Sequence, residues 1–107
     1  MQKTNKAAVP KLLMPAQAAK AMKQGLVTEL RQTKHIREQM RKADRNFDMA
    51  DVRTVARFGT VRRPGEWSQT YGNYTYCMEG RDEEGRPLHI IFVPGQDYVK
   101  LITGVRP

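Results

Sequence analysis

Residues 88–93 read Leu-His-Ile-Ile-Phe-Val, and this run decides the fold class of the chain. Five of its six residues are apolar, and β-branched and aromatic side chains of this kind favour an extended strand. Because apolar residues occupy both odd and even positions, both faces of the strand are expected to be covered. The run therefore predicts an interior strand of a sheet.

The segments around this run alternate between apolar and polar residues, as half-buried strands do. Residues 74–79 alternate in this way, and turn signals at Gly85 and at Pro94-Gly95 separate them from the interior strand and from a last strand over residues 98–103. A further short strand is predicted over residues 60–63. Three or four strands joined by short turns form an antiparallel meander.

Helical spacing replaces alternation upstream of Gly59. Thr33 and Asp48 are favourable N-cap residues, and they predict two consecutive helices over residues 34–44 and 49–58. Apolar side chains recur every three or four residues in both helices, which gives each helix one narrow buried face. We expect the core to contain Ile36, Met40, Val52, Val55, Phe58, Ile90 and Phe92.

The N-terminal residues have the composition of an arm. Residues 1–15 contain two prolines and several lysines but only a short apolar patch, and such a segment is flexible unless it docks on something. Pro15 suits the first position of a helix that continues over residues 16–24. Residues 26–32 predict a short first strand, with continuation of the helix as the alternative.

Helices followed by a run of strands indicate the α+β class, with the helices packed on one face of a small antiparallel sheet. We divide the chain of 107 residues into a basic N-terminal arm with a short helix, residues 1–25, and a single α+β domain, residues 26–107. The other face of the sheet is then open or covered by the arm, and a functional site can lie there.

The positive charge of the chain is confined to its first half. Residues 1–46 carry eleven basic and three acidic side chains, whereas residues 47–107 carry eight of each, and the whole chain has a net charge of +8. Clustered cations favour a phosphate-rich partner, so RNA or another nucleic acid is the expected partner. Candidate contacts lie in and just after the predicted helix over residues 34–44 and in the short helix before it: Lys34, Arg45, Lys42, Lys20 and Lys23.

Several classes of protein are disfavoured by the sequence. No apolar run approaches the roughly 18 residues that span a bilayer, and the N-terminal lysines are not followed by the apolar segment of a secretory signal. A single cysteine, Cys77, excludes an internal disulfide framework and fits a reducing compartment. We expect a cytoplasmic protein without a membrane partner.

Familiar catalytic and metal-binding motifs are also missing. Cys77, His35 and His89 are isolated in the sequence, and no paired metal-ligand motif, Gly-rich phosphate loop or Gly-x-Ser-x-Gly elbow occurs. No metal and no cofactor is therefore expected. The acidic residues 82–84 are predicted to form a solvated hairpin tip.

Cleavage of RNA without a metal needs a proton acceptor, a proton donor and cations that stabilise the phosphate in the transition state. Histidine, arginine and tyrosine can supply all three. In this hypothesis His35 is the general base or acid, two arginines of the same helix hold the phosphate, and a tyrosine or the second histidine assists. The candidate catalytic residues are His35, Arg37, Arg41, Tyr76 and His89.

Residues 33–40 read Thr-Lys-His-Ile-Arg-Glu-Gln-Met, and they resemble the Thr-x-His-Ala-x-x-Arg-Met helix of the bacterial domain-of-unknown-function family 4258. Residues 47–52 and 55–61 resemble its Ile-Ser-x-x-Asp-Val…Gly-x-Val segment. Residues 98–103 resemble its last strand, which typically ends in an Ile-Thr pair. The similarity covers roughly residues 28–105 and leaves the N-terminal arm as an addition.

The resemblance implies a fold akin to the RelE and ParE toxins and the barnase-like ribonucleases. It implies a toxin-like endoribonuclease that acts on RNA without a metal and has an acidic antitoxin or immunity protein as a further partner. Thr33 and His35 match the family motif, whereas Gln39 stands where the family usually has Arg. The alternative is a non-catalytic module of a phage, plasmid or defence locus that binds nucleic acid or protein.

Overall fold

The computed structural model describes residues 10–44 and 46–107. Within these residues the chain forms helices α1 to α3 and strands β1 to β6. In chain order the elements are α1 (Pro15–Gln24), β1 (Leu30–Gln32), α2 (Lys34–Arg41), α3 (Met49–Phe58), β2 (Thr60–Val61), β3 (Glu66–Ser68), β4 (Asn73–Arg81), β5 (Pro87–Pro94) and β6 (Val99–Val105). No helix in this described part is long and apolar enough to cross a membrane.

Strand β5 lies in the interior of the sheet, which confirms the interpretation of residues 88–93. The strand order is β1-β6-β5-β4-β2, and β3 pairs with the N-terminal end of β4. All pairings are antiparallel except that of β1 with β6, which is parallel. The protein is therefore of the α+β class, and the predicted small antiparallel sheet is mostly antiparallel, with β1 as the parallel exception.

Alternation along the strands gives the sheet two different faces. Tyr76, Phe92 and Leu101 lie side by side on β4, β5 and β6, all buried on the face that the helices cover. Glu79 and His89 pair on the opposite face, where the side chains are only half-buried. We call this second side, which includes Cys77, Glu79, His89, Ile91 and Thr103, the open face.

Helix α1 is part of the core. Its Ala18 and Met22 are completely buried, and they pack in one cluster with residues of α2, α3 and the sheet. After the helix the chain makes a turn, because the amides of Leu26 and Val27 bond to carbonyls of α1. Helix α1 ends at Gln24 and strand β1 begins at Leu30 and not at residue 26, so the first part of this segment is a turn and neither a strand nor a continued helix.

Phe58 is 74% exposed, so its assignment to the core was wrong. Residues three apart in a helix differ by about 60° in their direction around the axis. Phe58 is six residues after Val52, so its direction differs from that of Val52 by about 120° and it lies outside the face that Val52 and Val55 share. Ala56 fills the buried position instead. Met40 is partly buried against the core, and the other five predicted core residues are completely buried.

Element ends differ from the prediction where tertiary contacts intervene. Helix α2 ends at Arg41 and not at residue 44, and the chain then turns to bury Phe47. The ring of Phe47 lies against the backbone of Gly104, where a Cβ atom would come within 2.5 Å of it. Strand β2 is also shorter than predicted, and β3 was missed because its three residues are mostly exposed.

The turn between β4 and β5 is not a simple solvated tip, because Asp82 is buried. Its Oδ1 accepts hydrogen bonds from the amides of Glu84 and Arg86, and its Oδ2 lies 2.8 Å from Nη1 of Arg106. Burial by itself raises the pKa of the Asp82 carboxyl, but the bonds from Arg86 and Arg106 outweigh it and keep the pKa below its usual value.

Replacing Phe92 by alanine tests the core. Phe92 is completely buried, its ring centroid lies 5.8 Å from that of Tyr76, and Phe92→Ala is expected to lower the free energy of unfolding by about 3–5 kcal/mol. Phe58→Ala is the matched control, for which we expect a change within about 0.5 kcal/mol because the side chain is exposed. Urea denaturation measures both, and equal effects of the two substitutions would contradict the assignment of faces.

Candidate functional site

The central feature of the open face is a cross-strand pair of titratable side chains. Glu79 of β4 lies directly opposite His89 of β5, and directly opposed residues of antiparallel strands have neighbouring side chains. Cys77 precedes Glu79 by two residues and therefore shares its face. A carboxylate oxygen, an imidazole nitrogen and the thiol sulfur of these three residues all lie within 4.8 Å of one another.

Two arginines from the segment after β2 approach Glu79. Nε of Arg62 lies 3.8 Å from one carboxylate oxygen of Glu79, and Nε of Arg63 lies 3.6 Å from the other. The Glu79 side chain is 21% exposed, whereas those of Arg62 and Arg63 are 78% and 68% exposed. Each guanidinium carries five N–H donors, so both arginines can bind an anion while they remain beside Glu79.

A shallow cleft of about 230 Å³ runs along this group. Arg62, Glu79, Arg81 and His89 line it, so it brings a carboxylate and an imidazole together with guanidinium groups. An anion that lay in this cleft would contact guanidinium groups and would adjoin the Glu79 carboxylate and the His89 imidazole.

Cys77 is not an activated nucleophile. Burial raises the pKa of the Cys77 thiol; the nearby Arg63 lowers it and Glu79 raises it further, and the net pKa lies above the ordinary value. A thiol that stays protonated near neutral pH attacks electrophiles poorly. The Cys77 thiol therefore does not suit nucleophilic catalysis.

His35 lies at the β6 side of the open face. Its Nε2 is 3.3 Å from Oγ1 of Thr103, and Thr103 pairs with Ile91 of β5, two residues from His89. The Thr103 hydroxyl donates to Oε1 of Gln39 at 3.0 Å, so its oxygen is left to accept from His35. The imidazole of His35 is exposed and is held at the edge of the face.

The side chain of Gln39 hydrogen-bonds to the backbone at the edge of β6. Strand β1 pairs with β6 only at Val99–Leu101, which leaves the backbone of Gly104 facing helix α2. Oε1 of Gln39 accepts from the Gly104 amide at 2.8 Å, and Nε2 of Gln39 donates to the Gly104 carbonyl at 3.1 Å. The Gln39 side-chain amide thus replaces a neighbouring strand at this residue.

Sequence reasoning missed this role of Gln39 and considered only the lost cation. The signal was present in the spacing, because Gln39 follows Ile36 by three residues and precedes Met40 on the same face of α2. A polar residue at such a position is buried and needs hydrogen-bond partners. Gln39 is 4% exposed and has them.

The structure separates Tyr76 from His89. Tyr76 points to the helix-covered face and is 3% exposed, and its hydroxyl oxygen accepts a hydrogen bond from the Leu13 amide at 2.9 Å. Tyr76 therefore packs inside the core, on the opposite side of the sheet from the Glu79–His89 pair.

Arg37 and Arg41 also lie away from that pair. Nη1 of Arg37 donates to the carbonyl oxygen of Gln32 at 3.4 Å. Arg41 lines a cleft of about 430 Å³ at the end of α2, together with acidic residues of α3 and of the β4–β5 turn: Asp48, Asp51, Glu83 and Glu84. The structure does not bring these arginines and His89 together.

The predicted nucleic-acid contacts do not form a single patch in the described residues. Lys34 and Lys42 are exposed at the two ends of α2, and α2 contacts strand β6. Lys20 and Lys23 line a groove beside β2. Strand β2 lies at the other end of the strand order from β6. Arg45 lies outside the described residues.

Sequence reasoning missed Glu79, Arg62 and Arg63 as site residues. The alternation of residues 74–79 already put Glu79 on the same face as Cys77. A hairpin centred near residue 84 would also have set Glu79 opposite His89, because the turn fixes the register. Nothing in the local pattern indicates that Arg62 and Arg63 fold back onto Glu79.

Residues 32–104 match the family model of the Domain of unknown function (DUF4258), which is more than half of the chain, and the chain therefore belongs to this family. No curated protein and no solved structure matches the chain significantly.

Replacing Gln39 by alanine tests the contribution of its hydrogen bonds to the backbone of Gly104. Gln39→Ala is expected to lower the free energy of unfolding by about 2–3 kcal/mol, because the amide and carbonyl of Gly104 lose their partner in a buried position. Glu38→Ala is the control, since Glu38 is exposed on the same helix and its loss is expected to change stability by no more than about 0.5 kcal/mol. Hydrogen exchange of the Gly104 amide should accelerate in the Gln39 variant alone; unchanged exchange would contradict the role of Gln39.

Proposed function

We propose that this member of the family is a toxin-like endoribonuclease that cleaves RNA without a metal on the open face of its sheet. The observation that carries the proposal is the Glu79–His89 pair, which adjoins two largely exposed guanidinium groups. A helix layer on one face of a mostly antiparallel sheet is also consistent with the relationship to RelE and ParE toxins and barnase-like ribonucleases that the sequence resemblance implies.

The reaction is a transesterification within the RNA backbone. Glu79 takes the proton from a ribose 2′-hydroxyl, and the 2′-oxygen attacks the adjacent phosphorus. The bond between phosphorus and the 5′-oxygen breaks, and protonated His89 gives its proton to that oxygen. The products are a 2′,3′-cyclic phosphate and a free 5′-hydroxyl. Glu79 and His89 suit these roles because they lie directly opposite each other on neighbouring strands and line one cleft.

Arg62 and Arg63 stabilise the charge that develops on the phosphorane. Their guanidinium groups stay charged at any physiological pH. Arg62 lines the cleft beside Glu79 and His89, whereas Arg63 lines a neighbouring cleft beside Cys77, and both guanidinium groups adjoin the Glu79 carboxylate. Preorganised cations in such positions account for a large part of the rate enhancement in phosphoryl transfer. His35, fixed by Thr103, contacts the RNA strand at the β6 side of the face.

The same cations suit an acidic antitoxin or immunity protein. A protein that covered the open face with carboxylates would pair with Arg62 and Arg63 and would exclude RNA from the cleft. In this proposal the protein acts in the cytoplasm, where its RNA substrate is found.

The catalytic assignment is tested with single-stranded RNA in the presence of a chelator. His89→Ala and Glu79→Gln are each expected to slow cleavage by about 100-fold or more, the usual contribution of a positioned acid or base. Tyr76→Phe is the matched control and should cleave at the rate of the unmodified protein, because its hydroxyl lies in the core.

Two results would contradict this assignment. Equal cleavage by the unmodified protein and the His89 variant would remove His89 from the mechanism. RNA binding without any cleavage by the unmodified protein would support the non-catalytic binding module instead.

A second experiment locates the RNA strand. In the double variant Arg62→Ala/Arg63→Ala, the slope of log K against log salt concentration should become shallower by about 0.7 for each lost phosphate contact. The double variant Lys20→Ala/Lys23→Ala removes the same charge from the groove between α1 and β2 and should leave the slope unchanged. A shallower slope only in the lysine variant would move the RNA to the groove beside α1.

A further inference from the structure

Cys77, Glu79 and His89 combine three side chains that ligate transition metals. Cys77 and His89 are isolated in the sequence, and only the pairing of β4 with β5 brings them together. We propose that these three residues bind one thiophilic divalent cation, with Zn²⁺ as the best chemical match. Thiolate, imidazole and carboxylate are the three ligand types that Zn²⁺ takes from proteins.

The distances between the ligand atoms are close to those of a zinc site. Zn²⁺ binds sulfur at about 2.3 Å and nitrogen or oxygen at about 2.0–2.2 Å in a tetrahedron, which places ligand atoms roughly 3.5 Å apart. The atoms of Cys77, Glu79 and His89 already lie within 4.8 Å of one another. Rotation about side-chain bonds can supply the remaining 1 Å or so, while the backbone positions stay fixed by two interior strands.

The ion pairs of Glu79 do not prevent metal binding. Arg62 and Arg63 are largely exposed and lie 3.8 and 3.6 Å from the carboxylate, and such surface pairs contribute little free energy. A divalent cation can therefore displace them from Glu79. The Cys77 thiolate and the Glu79 carboxylate balance the two charges of the ion, and binding releases the thiol proton.

Three protein ligands leave the fourth position of a tetrahedral ion open. Glu79 and His89 line the cleft of about 230 Å³ and Cys77 lines the neighbouring one, so a ligand can reach the fourth position from the open face. If the proposed function holds, the ion occupies both proton-transfer groups, Glu79 and His89, and inhibits RNA cleavage. This consequence rests on the proposed function, whereas the metal site itself does not.

The test uses the reduced, metal-free full chain titrated with Co²⁺. Cys77 is the only cysteine, so a sulfur-to-cobalt charge-transfer band in the near ultraviolet reports this thiolate alone. We expect the band to saturate at one equivalent of Co²⁺ and to disappear when Zn²⁺ is added. Cys77→Ser should abolish the band, and Glu79→Gln and His89→Gln should weaken Co²⁺ affinity by at least about 10–100-fold, the loss that even an outer-shell substitution causes.

His35→Gln is the matched control, because it removes the other histidine of the chain at the edge of the same face and should leave Co²⁺ affinity unchanged. Circular dichroism of each variant checks that it is folded. The absence of a charge-transfer band in the folded, unmodified protein would overturn the proposal, and so would unchanged Co²⁺ affinity in the His89 variant.

An RNA-cleavage assay with and without one equivalent of Zn²⁺ separates this proposal from the proposed function. Stoichiometric metal binding by a protein that never cleaves RNA would refute the ribonuclease and retain the metal site. Cleavage by a protein that shows no charge-transfer band would refute the metal site and retain the ribonuclease. If the protein is a ribonuclease and also binds the metal, Zn²⁺ slows RNA cleavage by the unmodified protein. Zn²⁺ then does not slow cleavage by the Cys77→Ser variant, which lacks the thiolate ligand.

Discussion

The register between β4 and β5 is the constraint on which both faces of the sheet depend. It sets Tyr76 beside Phe92 in the core and Glu79 beside His89 on the open face. Since side chains alternate along a strand, a slip of one residue would move either strand's core side chains to the solvent side. The buried carboxylate of Asp82 stabilises the turn that joins the two strands, because it accepts bonds from backbone amides of the turn and from Arg106.

The edge of β6 presents a second constraint. An unpaired strand edge invites association with other chains, and here the edge is closed in two different ways. Strand β1 covers Val99–Leu101, and the Gln39 amide covers Gly104. Gln39 also bonds to Thr103, which in turn holds His35. One buried amide thus connects the stability of the sheet edge with the orientation of a side chain at the candidate site.

Charge along the chain and charge on the candidate site are distributed differently. The net positive charge belongs to residues 1–46, yet the arginines that approach the Glu79–His89 pair belong to the balanced second half. Net charge governs long-range attraction of a polyanion, whereas the chemistry depends on a few cations at hydrogen-bond range. In the proposed function the basic residues of α2 suit the first role, and Arg62 and Arg63 suit the second.

The sequence by itself determined the α+β class, the helices over residues 15–24 and 49–58, and the interior position of β5, because each depends on local periodicity or on a capping residue. Only the tertiary structure decided that β1 runs parallel to β6, that Gln39 completes a strand edge, and that Cys77, Glu79 and His89 meet. These features depend on contacts between residues far apart in the chain. Local alternation indicates on which face of a strand a side chain lies. Which residue lies opposite it on the neighbouring strand depends on the packing of the whole domain.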